Sequence, residues 1–391
     1  MALFGKNPKE EIIAVIDLAS ASVGGMLIKK TEGKDPHIIS SKRISINFLM
    51  DVDFQAFWRC AANALNQVSE QLLKDYPQGP DKILCILSHI WIVSQTRIVK
   101  INKENPMEVT KEFLDKLVKN EIETFKMQAP GITSDASAGL DLVEYAIMRT
   151  SLNGYQVEKP IGKKAKRFSL YLHVSLVDKA IKEPLKDIFL KNFGNVDLFF
   201  HSTPFVVFNV LKNIINTEEG FLFIDIGGET SDISLVRRNI LEETFSFPRG
   251  KNFLIRKMAS EFKTFVDDAV SIINSYNQNR LEKGAQQKAQ LVIQQAKKEW
   301  CSYMEKALLE ISQIAPLPPK IFFVSGKNTL DEFAQCINDE VFKKFTILAT
   351  SFELVKITEE AFKDHFSFKR SIDVDRDVFL MAGALFADKF I

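Results

Sequence analysis

Two strand-like segments of the sequence each end in an aspartate that is followed by a turn of small residues. The first is Glu11–Asp17, whose turn continues to Ser22, and the second is Phe221–Asp225, whose turn continues to Thr230. Small residues let backbone N–H groups approach an anion, and unpaired amides in tight turns form an anion-binding concavity. Two such turns facing each other would hold a polyphosphate, and the strand-end carboxylates would hold a hydrated Mg²⁺ through water.

The residues of these two turns are therefore candidate phosphate ligands. They are Asp17, Ser20, Ser22, Asp225, Gly227, Gly228 and Thr230. A third turn, Val324–Asn328, follows another apolar strand, and its position in the chain supports it as a further candidate for the same site. The alternative is that both turns belong to ordinary hairpins, because Asp, Ser and Gly favour turns for local reasons.

The elements that must position these turns alternate between strands and helices. Apolar residues at three- and four-residue spacing predict a helix over Asp53–Asp75, and a final helix is predicted over Asp373–Ile391. Between residues 88 and 200 the pattern changes to an α+β block that interrupts the first unit. The later strand–aspartate–turn–strand unit repeats the N-terminal one, which indicates a duplicated lobe.

Composition excludes several classes of function. The chain has 51 basic and 50 acidic residues, a net charge of +1, so it has no long-range field for nucleic acid. Its four cysteines have no metal-site spacing, and we expect them to be reduced residues of a cytoplasmic protein. His173 is expected to be a packed core residue. No stretch reaches the roughly 20 apolar residues that a membrane-spanning helix needs.

In order and spacing these pieces resemble the actin-like ATPases, and among them the cell-division FtsA proteins, with the PilM-like pilus assembly proteins as a close second. Glu11–Lys29 resembles the first phosphate loop, Phe221–Val236 the second and Ile321–Phe333 the adenosine loop. Asn153–Gly162 is similar to a turn of the FtsA-type subdomain. The resemblance implies an α/β fold, actin-like (ribonuclease H-like) and duplicated into two lobes, with an FtsA-type α+β subdomain inserted in the first lobe.

The domain boundaries follow from the same comparison of patterns. They are 1–87 for the first part of lobe I, 88–200 for the inserted subdomain, 201–214 and 372–391 for the closing helices of lobe I, and 215–371 for lobe II.

The resemblance also implies ATP and Mg²⁺ as cofactors, with Asp17 and Asp225 as the metal-binding pair. It adds further nucleotide-binding residues, which are Ala21, Glu229, Gly250, Lys251, Gly326, Lys327 and Asn328. A solvated surface position is the alternative for Lys251. The chain departs from the family at Ala19 and Glu229, where glycines are usual, and at Val270 and Ile273, where polar nucleoside contacts are usual. We therefore expect at most weak ATPase activity, and no catalytic residue is identified.

The leading functional expectation is an ATP-binding scaffold of bacterial cell division. Such a protein polymerises, binds the C-terminal tail peptide of FtsZ, contacts late division membrane proteins and works in the cytoplasm at the inner face of the membrane. We expect a disordered leader at Met1–Phe4 and a solvated loop at Lys163–Arg167, and a membrane or acidic-partner contact is the alternative for each segment. FtsA proteins end in an amphipathic helix, which this sequence lacks before Ile391.

Three alternatives remain open at this point. The first is a PilM-like type IV pilus assembly protein that binds a PilN-type cytoplasmic peptide. The second is a nucleotide-free adaptor of the same fold, which Ala19, Val270 and Ile273 favour. The third is a small-molecule kinase, which requires a carboxylate base and a substrate cleft.

Overall fold

Two five-stranded sheets with the same topology form the framework of the molecule. A computed structural model describes residues 10–51, 53–129, 139–215, 220–313, 315–325, 331–367 and 377–391. In both sheets three antiparallel strands are followed by two parallel ones. This repeat is the duplication that the sequence predicts.

The first half of the chain contains lobe I and the inserted subdomain. Its elements are β1 (Glu10–Leu18), β2 (Ser22–Thr31), β3 (His37–Ser45), α1 (Phe54–Asp75), β4 (Lys82–Leu87), β5 (Ile92–Glu108), α2 (Lys111–Gln128), β6 (Leu140–Leu152), β7 (Tyr155–Gln156), β8 (Lys164–Asp178), α3 (Lys179–Phe193), β9 (Asp197–Ser202) and α4 (Thr203–Ile214).

The second half contains lobe II and the helix that returns to lobe I. Its elements are β10 (Phe221–Ile226), β11 (Ser231–Arg237), β12 (Ile240–Phe247), α5 (Lys251–Phe262), α6 (Val266–Asn277), α7 (Lys283–Ile311), β13 (Lys320–Ser325), α8 (Asp331–Gln335), α9 (Glu340–Lys343), β14 (Glu353–Lys356) and α10 (Val378–Phe390), with short 3₁₀ turns after α8 and β14.

The sheet of lobe I has the order β3-β2-β1-β4-β9, with β1 at its centre. Ile13 and Val15 pack on one face of this sheet and Ala14 and Ile16 on the other. A strand buried on both faces reads as a continuous apolar run, which explains the pattern of the N-terminal segment. The sheet of lobe II repeats this arrangement in the order β12-β11-β10-β13-β14.

Helix α1 covers one face of the lobe I sheet. The Asp53 side chain caps it by accepting a hydrogen bond from the amide of Ala56. Helices α4 and α10 form one apolar core with residues of both sheets. A side chain at Gly383 would lie 2.5 Å from Ile86, so the small residues of α10 permit the close packing that the sequence indicates.

The inserted subdomain is a four-stranded sheet, β5-β8-β6-β7, with α2 packed on one face. An Asn153-Gly154 turn with positive φ joins β6 to β7. The predicted end of this block at residue 200 falls inside β9, which pairs with β4 of lobe I. Most of the predicted loop Gln128–Gly139 lies outside the described residues.

Lobe II has its own apolar core, in which Trp300 of α7 is fully buried. The prediction that all four cysteines are reduced is wrong for two of them, because a disulfide joins Cys301 of α7 to Cys336 with a Cα–Cα distance of 6.7 Å. Sequence spacing does not show that the end of α8 returns to α7. Among the helices that the structure describes, none has both the length and the apolar character to cross a bilayer.

Candidate functional site

Asp17 and Asp225 occupy equivalent positions in the two sheets and line one crevice. Each lies on the central strand of its sheet, and in the adjoining hairpin Asp17 pairs with Gly24 and Asp225 with Asp232. The crevice has a volume of about 600 Å³ and is lined by both predicted turns. The two aspartates therefore share one cleft between the lobes, as the sequence predicts.

The hydroxyl group of Ser20 joins the two turns directly. Its Oγ accepts hydrogen bonds from the backbone amides of Gly228 at 3.0 Å and Glu229 at 3.1 Å. Ser20 is only 3 % exposed, so water does not compete for this contact. These amides belong to the second turn, and they are the donors that the sequence analysis assigns to a phosphate.

The backbones of the two turns also touch. A methyl group added at Gly228 would lie 2.3 Å from Cβ of Ala21, and one added at Gly250 would lie 2.3 Å from the carbonyl oxygen of Gly228. The first amides of α5 are bonded as well, because those of Lys251 and Asn252 donate to the carbonyls of Gly227 and Gly228, each at 2.9 Å. Glycines here allow three backbone segments to pack together.

Glu229 turns away from the crevice and pairs with lobe II residues. Arg256 of α5 donates to its carboxylate at 2.7 and 2.8 Å, and the side-chain amide of Asn252 donates at 2.7 Å. Arg256 also donates to the carbonyl of Leu49 in lobe I and stacks on Phe48 with 4.9 Å to the ring centroid. The negative charge at this unusual position is thereby neutralised, and the same arginine links the lobes.

Arg43 of β3 is the functional residue that the sequence analysis misses. Its guanidinium group donates to Asp17 at 2.7 Å, to the hydroxyl of Ser22 at 2.8 Å and to Asp377 at 2.9 Å. Asp377 also caps α10, because it accepts the amide of Leu380 at 2.9 Å. No local motif reveals this cluster, since its members come from β1, β2, β3 and the residue that caps α10.

Burial is the main influence on the pKa values of Asp17 and Asp225. It raises the pKa of Asp17, an effect that Arg43 only partly offsets and that the nearby Asp377 carboxylate reinforces. Burial also raises the pKa of Asp225 well above its usual range, with the carboxylates of Asp232 and Asp17 adding to the shift. The pKa of Arg43 is raised, because its two carboxylate partners outweigh burial, which acts in the opposite direction.

This arrangement does not fit the Mg²⁺–nucleotide that the resemblance implies. The cationic Arg43 already stands 2.7 Å from Asp17, so the first of the two carboxylates has a positively charged partner within the protein. The phosphate-facing amides of Gly228 and Glu229 are occupied by Ser20. ATP and Mg²⁺ remain predictions of the resemblance.

The other predicted nucleotide residues have mixed positions. Thr230 donates to Asp232 at 3.5 Å, and Lys251 lines the crevice. Gly326, Lys327 and Asn328 lie outside the described residues. Ile273, one of the departures from the family's polar nucleoside contacts, is 4 % exposed and packs in the core of lobe II.

A second concave surface, which we call the β6–β9 groove, lies between the inserted subdomain and lobe I. It has a volume of about 560 Å³ and is lined by Leu142, Val143, Glu144, Tyr145, Lys182, Lys186, Leu198, Phe199, Phe200 and His201. Strand β9 is the outer strand of its sheet, and β6 has a second neighbour only at Ser151 and Leu152 among the described residues. Strand edges of this kind can pair with an added extended segment.

A buried polar network fixes the inner end of the groove. Glu144 is 6 % exposed and accepts hydrogen bonds from the ring of His201 at 2.6 Å and from the hydroxyl of Ser175 at 2.8 Å. It also accepts from the amide of Ser202, which joins β6 to β9. The pKa of Glu144 is lowered to about 2, because the hydrogen bonds and charges of His173 and His201 outweigh the opposing effect of burial. His173 is fully buried, as predicted.

Two duplicated lobes that meet at a crevice flanked by equivalent aspartates define the actin-like ATPase fold, and this chain has it. Comparison with solved structures agrees with this assignment at the level of the whole chain. A PilM–PilN type IV pilus biogenesis complex is similar with a TM-score of 0.65 and 13 % identity over 98 % of both chains. At this identity the similarity shows the fold and not the family.

Two further structures show weaker similarity. The ethanolamine utilization protein EutJ from Carboxydothermus hydrogenoformans has 13 % identity and a TM-score of 0.45, over 97 % of this chain and 90 % of that one. A Bacteroides thetaiotaomicron protein of unknown function, described as having an actin-like ATPase fold, has 10 % identity and a TM-score of 0.44, over 98 % of this chain and 99 % of that one. No protein-family model and no curated protein sequence matches the chain.

Proposed function

We propose that this chain is an actin-like scaffold that docks a short extended peptide of a partner protein, in the manner of a PilM-like pilus assembly protein and a PilN-type cytoplasmic peptide. The observation that carries the proposal is the β6–β9 groove, in which two strand edges border a largely apolar trough. The similarity to a PilM chain described in complex with PilN supports this alternative over the cell-division role, which stays a prediction.

The groove has the features that extended-peptide recognition requires. Main-chain groups at a strand edge supply affinity, while pockets for alternate side chains supply selectivity. Phe199 and Leu198 of β9 provide apolar contacts, and Tyr145 of β6 is 51 % exposed at the groove. The inner end is rigid because Glu144 ties β6 to β9. A rigid groove reduces the conformational entropy that is lost on binding.

The lysines of the groove are partly neutralised by their own neighbours. Lys182 donates to Asp141 at 2.7 Å and to the carbonyl of Leu142 at 2.8 Å, and Lys186 pairs with Glu183 at 2.8 Å. We therefore expect a peptide whose apolar side chains provide most of the affinity, with charge as a minor contribution.

The test is fluorescence anisotropy with the full chain and two labelled peptides, the N-terminal cytoplasmic peptide of a PilN-type protein and the C-terminal tail of an FtsZ-type protein. We expect saturable binding of the first peptide only. Tyr145→Ala should weaken it by about tenfold or more, as expected for an exposed aromatic anchor. Tyr155→Ala is the matched control, because this tyrosine is 78 % exposed on β7, outside the groove.

Three results would contradict the proposal. The first is binding of the FtsZ-type tail alone, which would restore the cell-division reading. The second is an equal loss of affinity in both tyrosine variants, and the third is a PilN-type peptide whose binding is indifferent to Tyr145.

A further inference from the structure

Side chains of the protein itself make the polar contacts at the point where the two turns of the crevice meet. We infer that this chain carries an internal substitute for a bound nucleotide, in which the Ser20 hydroxyl occupies the amides of the second turn and the Arg43 guanidinium neutralises Asp17. The lobes are then closed without a nucleoside triphosphate. This inference does not depend on the proposed peptide.

Ser20 occupies the acceptor position that a phosphate oxygen would need. An anion binds at a turn through N–H groups that have no other partner. The amides of Gly228 and Glu229 both point to Ser20 Oγ, at 3.0 and 3.1 Å. Entry of a phosphate would require both bonds to break and the backbones of Ala21 and Gly228 to separate from their close contact.

Arg43 occupies the position in which a divalent cation would meet the first aspartate. It reaches Asp17 at 2.7 Å on one side and Asp377 at 2.8 Å on the other. Gly24 makes room for it, because a methyl group there would lie 2.5 Å from the Arg43 Nη2 atom. A metal ion in this place would face a fixed positive charge, so the arginine and the metal exclude each other.

Hydrogen bonds outside the crevice also hold lobe II against lobe I and the inserted subdomain. Arg256 of lobe II donates to the carbonyl of Leu49 in lobe I at 2.8 Å. The inserted subdomain contacts β12, where the Thr96 hydroxyl donates to the carbonyl of Leu241 at 2.6 Å and the Thr244 hydroxyl donates to the carbonyl of Ser94 at 3.0 Å. All of these bonds are internal to the chain, and none requires a ligand.

The test has two parts, both with the full chain. In the first, isothermal titration with Mg²⁺-ATP up to millimolar concentration should give no saturable binding. In the second, hydrogen–deuterium exchange of the nucleotide-free protein should show protected amides at Gly228 and Glu229. Ser20→Ala should make these amides exchange at least about tenfold faster, since their acceptor is gone.

Ser88→Ala is the matched control for the exchange experiment. Ser88 lines the same crevice, but its hydroxyl donates to the carbonyl of Leu18 within lobe I at 3.2 Å. We expect it to leave exchange at Gly228 and Glu229 unchanged. If Ser20→Ala fails to fold, the titration and the exchange of the wild-type protein still decide.

The inference is overturned by saturable Mg²⁺-ATP binding to the wild-type chain. It is equally overturned if the Gly228 and Glu229 amides exchange freely in the nucleotide-free protein and become protected only when Mg²⁺-ATP is added. Identical exchange of the Gly228 and Glu229 amides in Ser20→Ala and the wild type would show that Ser20 is not their acceptor.

Discussion

Arg43→Ala should destabilise the protein far more than the loss of an ordinary arginine. The Arg43 side chain is 20 % exposed and the Asp17 side chain 2 %, so the substitution leaves an almost fully buried carboxylate without its cation. Removing one partner of a buried ion pair typically destabilises by about 3–5 kcal/mol. The substitution also removes the bonds to Ser22 and Asp377. We expect the loss to fall in this range.

The assay is thermal unfolding followed by circular dichroism at pH 7. A change of 1 kcal/mol shifts the Tm of a domain of 150–250 residues by about 2–4 °C, so the expected fall is roughly 6–20 °C. The control is Lys42→Ala, which removes the neighbouring pair with Asp75, whose side chains are 38 % and 37 % exposed. An exposed pair contributes about 0–1 kcal/mol, so this variant should unfold within a few degrees of the wild type.

The effect of pH adds a second check on the same substitution. Because burial raises the pKa of Asp17 in the folded state, folding favours its protonated form, and stability from this group increases as pH falls. Without Arg43 the pKa rises further, so the deficit of the variant should shrink on acidification. Equal losses in Arg43→Ala and Lys42→Ala, or a deficit that grows at low pH, would refute the reasoning.

Three further predictions concern single contacts. Gly228→Ala should lower stability by about 1–3 kcal/mol in chemical denaturation, because its methyl group would lie 2.3 Å from Ala21, and Ala21→Gly should restore part of the loss. Wild-type stability should fall as pH drops from about 4.5 towards 2, since the pKa of Glu144 is lowered to about 2 in the folded state. In chemical denaturation measured across this pH range, Glu144→Gln should reduce the dependence of stability on pH. The same dependence in the variant and the wild type would count against the Glu144 network. Asn153→Ala should lose about 1–3 kcal/mol in thermal unfolding, because its side chain accepts the amides of Lys166 and Arg167 and its φ is 53°. Asn102→Ala, at an exposed position within β5, should change the stability little.

The strands and turns of the crevice are predictable because each carries its own local signal. A strand buried on both faces appears as an unbroken apolar run, and Asp17 and Asp225 each lie near the end of one. Helix α1 starts one residue after the predicted position because Asp53 serves as the cap. The duplicated topology follows from repeating these signals, and the structure confirms it.

The contacts that decide what the crevice can hold carry no such signal. Arg43 reaches Asp17 across 26 positions of the sequence and Asp377 across 334, so no spacing rule connects them. Ser20 is recognisable as a turn residue. The local sequence does not show that its hydroxyl accepts hydrogen bonds from amides 208 and 209 positions away. The β6–β9 groove likewise depends on which strands lie at sheet edges, a property of the assembled fold.

The hydrogen bonds from Thr96 and Thr244 have a mechanical consequence. They connect the inserted subdomain to β12 of lobe II, whereas the chain itself connects that subdomain only to lobe I. The inserted subdomain therefore contacts both lobes. A force applied to the subdomain at β6 would therefore reach lobe II through these hydrogen bonds as well as lobe I through the chain.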